Sequence, residues 1–177
     1  MGASTPIRCD DDRGAVVVEF ALVLPVLMVL LLGMVSGATA WNQSQSLGQG
    51  ARVAGRYAST LPLAAPDGMD DWLDGIADRA IASSEGNLAT GTSGRTVCVA
   101  YVDPAGTAPD NTVSRTLDPA GVRTSGVIPC FSDGQSDTDI RVQVELERDS
   151  YLDVGFWRQD IDLRRSVVFR YEADGGI

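Results

Sequence analysis

Arg13–Ala40 reads RGAVVVEFALVLPVLMVLLLGMVSGATA, an apolar run interrupted by a single carboxylate, Glu19. As a helix rising about 1.5 Å per residue, Ala15–Ala40 would be roughly 39 Å long, more than the roughly 30 Å of hydrocarbon in a bilayer. The run therefore predicts a transmembrane helix over residues 15–40, tilted or with one end in the interface. Pro25 removes one helical hydrogen bond and predicts a kink of the kind membrane helices tolerate. Glu19 is the costly residue, because an ionised side chain facing lipid is unfavourable by about 3 kcal/mol on insertion scales. Either it lies close enough to the cytoplasmic end to reach headgroups, or it requires a partner.

The residues around Glu19 carry a resemblance. Gly14, followed by Ala15, Val16, Val17, Val18, Glu19 and Phe20, resembles the processing site of type IV pilin-like proteins. In that family a prepilin peptidase cuts after a glycine, and a glutamate stands fifth in the new N-terminus. The resemblance implies a cut between Gly14 and Ala15, with Glu19 as that glutamate and Phe20 as the aromatic that often follows it in the Flp branch. RGAVVVEFALVLPVLMVLLLG is more particularly similar to the N-terminus of TadE-like pseudopilins of tight-adherence systems, over about residues 13 to 35. It implies a membrane-anchored subunit with a role in pilus assembly, initiation or adhesion. The partners it implies are a prepilin peptidase, other pilin-like subunits, the assembly machinery and the lipid bilayer. The physics suits it: cleavage would create an amine at Ala15, and Glu19 of one subunit could pair with such an amine on a neighbour, offsetting the cost of either charge in an apolar bundle. Major Flp pilins are little more than the helix, so the additional outer domain argues against a bulk filament role.

A rival reading sits at the far end of the run. Ala38, Thr39 and Ala40 form an A-x-A site of the kind signal peptidase accepts, and cleavage there would release a secreted domain. Against it, the run is nearly twice as long as a usual signal core of about 7 to 15 residues, and Glu19 would lie inside that core. The alternative function is thus a signal-anchored or secreted extracytoplasmic binding protein unrelated to pili.

The chain has 177 residues, enough for the anchor and one modest domain. Its net charge of −10 and pI of about 4.3 exclude a nucleic-acid partner, since no segment supplies a basic patch. No histidine occurs, which removes Ser-His-Asp and Cys-His catalysis and the commonest zinc ligand. With no nucleophile beside a base, no metal cluster and no phosphate loop, neither an enzyme nor a cofactor is expected. Of the three cysteines, Cys9 precedes the span, whereas Cys98 and Cys130 would share an oxidising compartment if the chain is exported. They form either a disulfide or two unrelated buried thiols.

In chain order, residues 1–14 read as a short cytoplasmic leader without periodicity. Arg8 and Arg13 precede the span and the first arginine after it is Arg52, which predicts the N-terminus inside and the C-terminal domain outside, in the cytoplasmic membrane or at the cell surface. Beyond Trp41, residues 41–61 extend the helix, with Leu47, Ala51, Ala54 and Ala58 at spacings of three and four, until the constraint imposed by Pro62. Residues 62–177 form an extracytoplasmic α+β domain. A second helix is predicted over Asp67–Ser84 from the stripe Met69, Trp72, Leu73, Ile76, Ala80 and Ile81, capped by Asp67 or Asp70. Its acidic residues Asp70, Asp71, Asp74 and Asp78 read as a solvated face. Strands follow at Thr96–Val102, Thr112–Leu117, Val127–Phe131 and Asp139–Arg148, where Ile140, Val142, Val144 and Leu146 alternate with residues expected to be wet. The bulky stretch YLDVGFWRQDIDL, residues 151–163, is expected to cover the sheet or reach the membrane surface, before a last strand over Arg165–Glu172. Asp133, Asp137 and Asp139 raise calcium, but their spacing fits no EF-hand loop. The expected fold is α+β: a long N-terminal transmembrane helix continuing outward, a second helix and a small antiparallel sheet.

Overall fold

The computed structural model describes residues 12–63, 68–105, 112–135 and 139–171. Most of the expected leader, with Cys9, lies outside the described residues, as do Asp67 and Asp137. Helix α1 runs without a break from Asp12 to Thr60, 49 residues, and Pro25 sits inside it without ending it. The apolar run and its more polar extension are therefore one rod, which stops just ahead of Pro62 as the restriction on pre-proline residues requires.

Helix α2 spans Met69–Ala82. It buries Trp72, Leu73, Ile76 and Ala80 of the expected stripe together with Ala77, while Met69 and Ile81 pack half-buried against the core. Its cap departs from expectation: Gly68 stands at the N-cap with φ 105° and no side-chain cap bond, so Asp70 does not cap it. Five antiparallel strands follow: β1 Thr96–Val102, β2 Thr112–Leu117, β3 Arg123–Gly126, β4 Arg141–Asp153 and β5 Arg158–Arg170, in the order β3-β2-β1-β4-β5. The strand expected at Val127–Phe131 is absent. The chain pairs four residues earlier, where Arg123–Gly126 lies along β2, and Pro129 lacks the N–H that pairing would need. Between β2 and β3 Asp118-Pro119-Ala120-Gly121 forms a turn, with Gly121 at φ 87° and its N–H donating to Asp118 O at 3.0 Å.

One face of the sheet packs on both helices. Val97, Val99 and Tyr101 of β1 stand in register with Leu146, Val144 and Val142 of β4, and all six join Leu47, Ala51, Ala54 and Ala58 of α1 and the buried stripe of α2 in one core. Trp72, Tyr101 and Tyr171 meet edge to face with ring centroids 6.0–6.1 Å apart, the arrangement ring quadrupoles favour.

The other face is not wet. Arg141, Gln143 and Glu145, expected in water, are all under 9 % exposed, because the segment after β3 folds back over them. A disulfide joins Cys130 of that segment to Cys98 of β1. Gln143 donates from Nε2 to Phe131 O at 3.1 Å and to Asp133 Oδ2 at 2.6 Å, and Arg141 Nε donates to the same oxygen at 2.7 Å.

Candidate functional site

The features that bear on function lie along α1. Gly14 and Ala15 are within the helix and exposed; Glu19 and Phe20 are exposed too, Phe20 at 66 %. Glu19 makes no hydrogen bond or ion pair with the described residues, and every side chain from Ala15 to Met28 lacks a covering neighbour in the fold. This half of the rod is apolar and bare. It is long and apolar enough to cross a membrane, and the most apolar window within it is 0 % buried by the protein itself.

Cover begins at Val29 and continues along one stripe: Gly33, Ser36, Gly37 and Ala40, then Ser44, Leu47, Ala51, Ala54 and Ala58. Spacings of three and four keep these residues on one helical face, and the small ones let a neighbouring backbone approach. The β4–β5 hairpin occupies that face from end to end. Near the top, Tyr171 Oη donates to Leu61 O at 3.0 Å, and a Cβ at Gly55 would run into the Phe169 ring. Halfway down, Arg165 donates to Ser44 and Ser150 Oγ donates to Gln43 Oε1 at 2.7 Å. At the bottom, Val154 lies beside Gly33, 3.5 Å from where a Cβ there would stand, and Leu32 lies 3.3 Å from where a Cβ on Gly155 would stand. Each strand has 13 residues, about 43 Å at 3.3 Å per residue, and Leu32 to Thr60 is about 44 Å of helix at 1.5 Å per residue. The two lengths match.

The stretch expected as a bulky connection is thus the end of this hairpin. Asp153 pairs with Arg158, and Val154-Gly155-Phe156-Trp157 form the tip, closed by Val154 N–H donating to Trp157 O at 3.0 Å. Sequence reasoning singled out the aromatic residues but missed the turn and its contact with the apolar run. The signal was present in the small-residue stripe, which continues unbroken from Leu47 back to Gly33.

Charged residues elsewhere hold the domain together. The acidic face of α2 is not simply solvated: Asp74 accepts from Arg115 Nε and Nη2 at 3.0 and 2.9 Å and lies 3.0 Å from Arg123 Nη1, while Asp70 and Asp78 flank the cluster. Burial alone would raise the Asp74 carboxyl, but the bonds from Arg115 and Arg123 outweigh it and hold its pKa below the usual range. Asp133 behaves likewise: burial pushes up, and bonds from Gln143, the Gln135 N–H and Arg141 bring it below the ordinary value. That carboxylate is spent on side chains of the protein, Asp139 lies 3.5 Å from Arg170, and no cluster of metal-ligating side chains occurs among the described residues. Glu145 is raised, because burial exceeds what its bond with Arg164 returns.

With this geometry in view, the comparison with known families bears out the N-terminal resemblance. The family described as TadE-like protein matches residues 14–56. The match covers about a quarter of the chain, begins at the expected cleavage glycine, and runs past the apolar segment into the packed half of α1. It touches neither α2 nor the sheet. The matched family is not a family of enzymes. No curated protein and no solved structure matches the chain. Family match and apolar helix together support a pilin-like, membrane-anchored protein.

Proposed function

We propose that the chain is a TadE-like pseudopilin or minor pilin, inserted with its N-terminus inside and its α+β domain outside. On this reading a prepilin peptidase cuts between Gly14 and Ala15, and the mature subunit takes part in tight-adherence pilus assembly or adhesion. The observation that carries it is the coincidence of the family match at 14–56 with a single helix whose first half is bare and apolar and whose second half bears a folded domain. A bare apolar half favours association with lipid or with other such helices.

Glu19 supplies the chemistry of assembly. It stands exposed about 6 Å along the helix from Ala15, unpartnered among the described residues. A neighbouring subunit's new amine at Ala15 offers it an opposite charge, which sets both partner and register. Signal-peptidase cleavage after Ala40 fits poorly, because Ala40 is 6 % exposed and part of the stripe beneath the hairpin.

The test is the mature N-terminus of the protein recovered from cells, read by mass spectrometry with and without the prepilin peptidase. A chain that begins at Ala15 only when the peptidase is present is the expected result. An intact N-terminus in both strains, or one at Trp41, overturns the proposal. Glu19→Gln is then expected to preserve cleavage and to abolish assembly with pilin-like partners; unchanged assembly would remove the charge-pair mechanism.

A further inference from the structure

From the placement of the β4–β5 tip we infer that the outer domain has a second membrane contact, with Phe156 and Trp157 seated in the interfacial layer of the outer leaflet. This rests on the membrane-spanning reading of α1 given above. Two independent lengths meet at the tip. Counting from Ala15, a hydrocarbon core of about 30 Å takes up about 20 residues of helix and ends near Met34. The hairpin touches α1 at Leu32 and Gly33. The fold therefore carries the tip to the depth at which the hydrocarbon gives way to headgroups.

The chemistry of the tip suits that depth. Phe156 is 80 % exposed and Trp157 50 %, so the protein gives these two large rings little cover. Val154-Gly155-Phe156-Trp157 contains no charge, and the residues that bracket it, Asp153 and Arg158, oppose each other in register with opposite signs. Asp153 turns its carboxylate inward, accepting from the Gly155 N–H at 2.7 Å. Arg158 lies over the Tyr151 ring, 4.1 Å from its centroid. Arg158 also lies 3.4 Å from the exposed Asp160, and an aromatic tip with an apolar body and a polar collar is what partitions to a membrane interface, where tryptophan is enriched. A zwitterionic lipid surface is sufficient for it.

The experiment uses the full chain in phosphatidylcholine vesicles containing lipids brominated at graded depths. Trp41→Phe with Trp72→Phe leaves Trp157 as the single tryptophan. Its emission is expected to be blue-shifted and quenched most by the shallow bromines, several-fold more than by the deepest. Emission as in water, unquenched at every depth, overturns the inference. So does unquenched blue emission that shifts red on dilution into excess lipid, which would mean that a second copy covers the tip. Should the double variant fail to fold, the native chain minus Trp157→Phe isolates the same signal. A companion chain with all three tryptophans as Phe and Leu24→Trp separates the two levels. Deep quenching of Leu24→Trp with none of Trp157 refutes only the hairpin contact, whereas no quenching of Leu24→Trp refutes the span and the contact with it.

Discussion

Replacing Asp74 by alanine should loosen the grip of α2 on the outer strands. The carboxylate is 13 % exposed and receives Arg115 through two bonds and Arg123 through a third contact; the two guanidiniums are 15 % and 33 % exposed. Exposed ion pairs contribute about 0–1 kcal/mol, whereas removing one partner of a buried pair costs about 3–5 kcal/mol. This cluster lies between those limits. After the substitution Arg115 keeps Asp70 at 3.5 Å and Arg123 keeps Asp78 at 2.7 Å, so the cations are weakened rather than stranded, and a loss of about 2–3 kcal/mol follows. For a domain of this size each kcal/mol lowers Tm by roughly 4 °C, which gives a drop of about 8–12 °C. The assay is thermal unfolding of the full chain in detergent micelles, followed by the tryptophan signal. Asp78→Ala, which removes a carboxylate that is 58 % exposed, is the control and should stay within about 2 °C of the parent. An Asp74→Ala melt no lower than that control would refute the assignment of the cluster as a structural tie.

Cys98→Ser with Cys130→Ser should lower stability by about 3–4 kcal/mol, from the chain entropy of the 32-residue separation that the bond spans. Protease should then cut first within residues 127–135; an unchanged melt and cleavage pattern would contradict this. Gly55→Leu should cost about 1–3 kcal/mol by driving a side chain into Phe169. Gly75→Ala, with open space at its Cβ and a helical setting, should be neutral or gain up to about 1 kcal/mol in the same melts. In acid, Asp74 and Asp133 have folded pKa values below their unfolded values of about 3.9, so the stability they give is present above about pH 4 and lost as pH falls through the folded values. Glu145 runs the other way: its raised folded pKa favours the fold as pH drops through that value. Glu145→Gln should therefore make the acid decline of Tm begin at higher pH, and an identical profile would count against the raised value.

Much of this architecture was legible because local pattern and long-range contact agree. Val142, Val144 and Leu146 alternate and do face the helices; Leu47, Ala51, Ala54 and Ala58 recur at helical spacing and do line the core. The N-terminal resemblance was legible because the residues that carry it are contiguous, and the family match begins among them. What failed depended on partners distant in sequence. Arg141, Gln143 and Glu145 occupy the polar phase of β4, and nothing local shows that the chain around Cys130 returns to cover them. Asp74 is polar by type, and its arginines stand 41 and 49 residues away. Strand β3, RTSG, has no apolar alternation, since an edge strand with exposed side chains needs none; the more apolar Val127–Phe131 was the wrong choice for that reason.

The hairpin laid against α1 over some 44 Å has a mechanical consequence. A domain tethered by a flexible linker would swivel and present any side outward. Here helix and hairpin share hydrogen bonds at Gln43, Ser44 and Leu61 and interlock at Gly55, so the domain has no free azimuth. Its bearing is that of the helix, and rotating the bare apolar shaft turns the whole headpiece by the same angle, as a vane turns with its spindle.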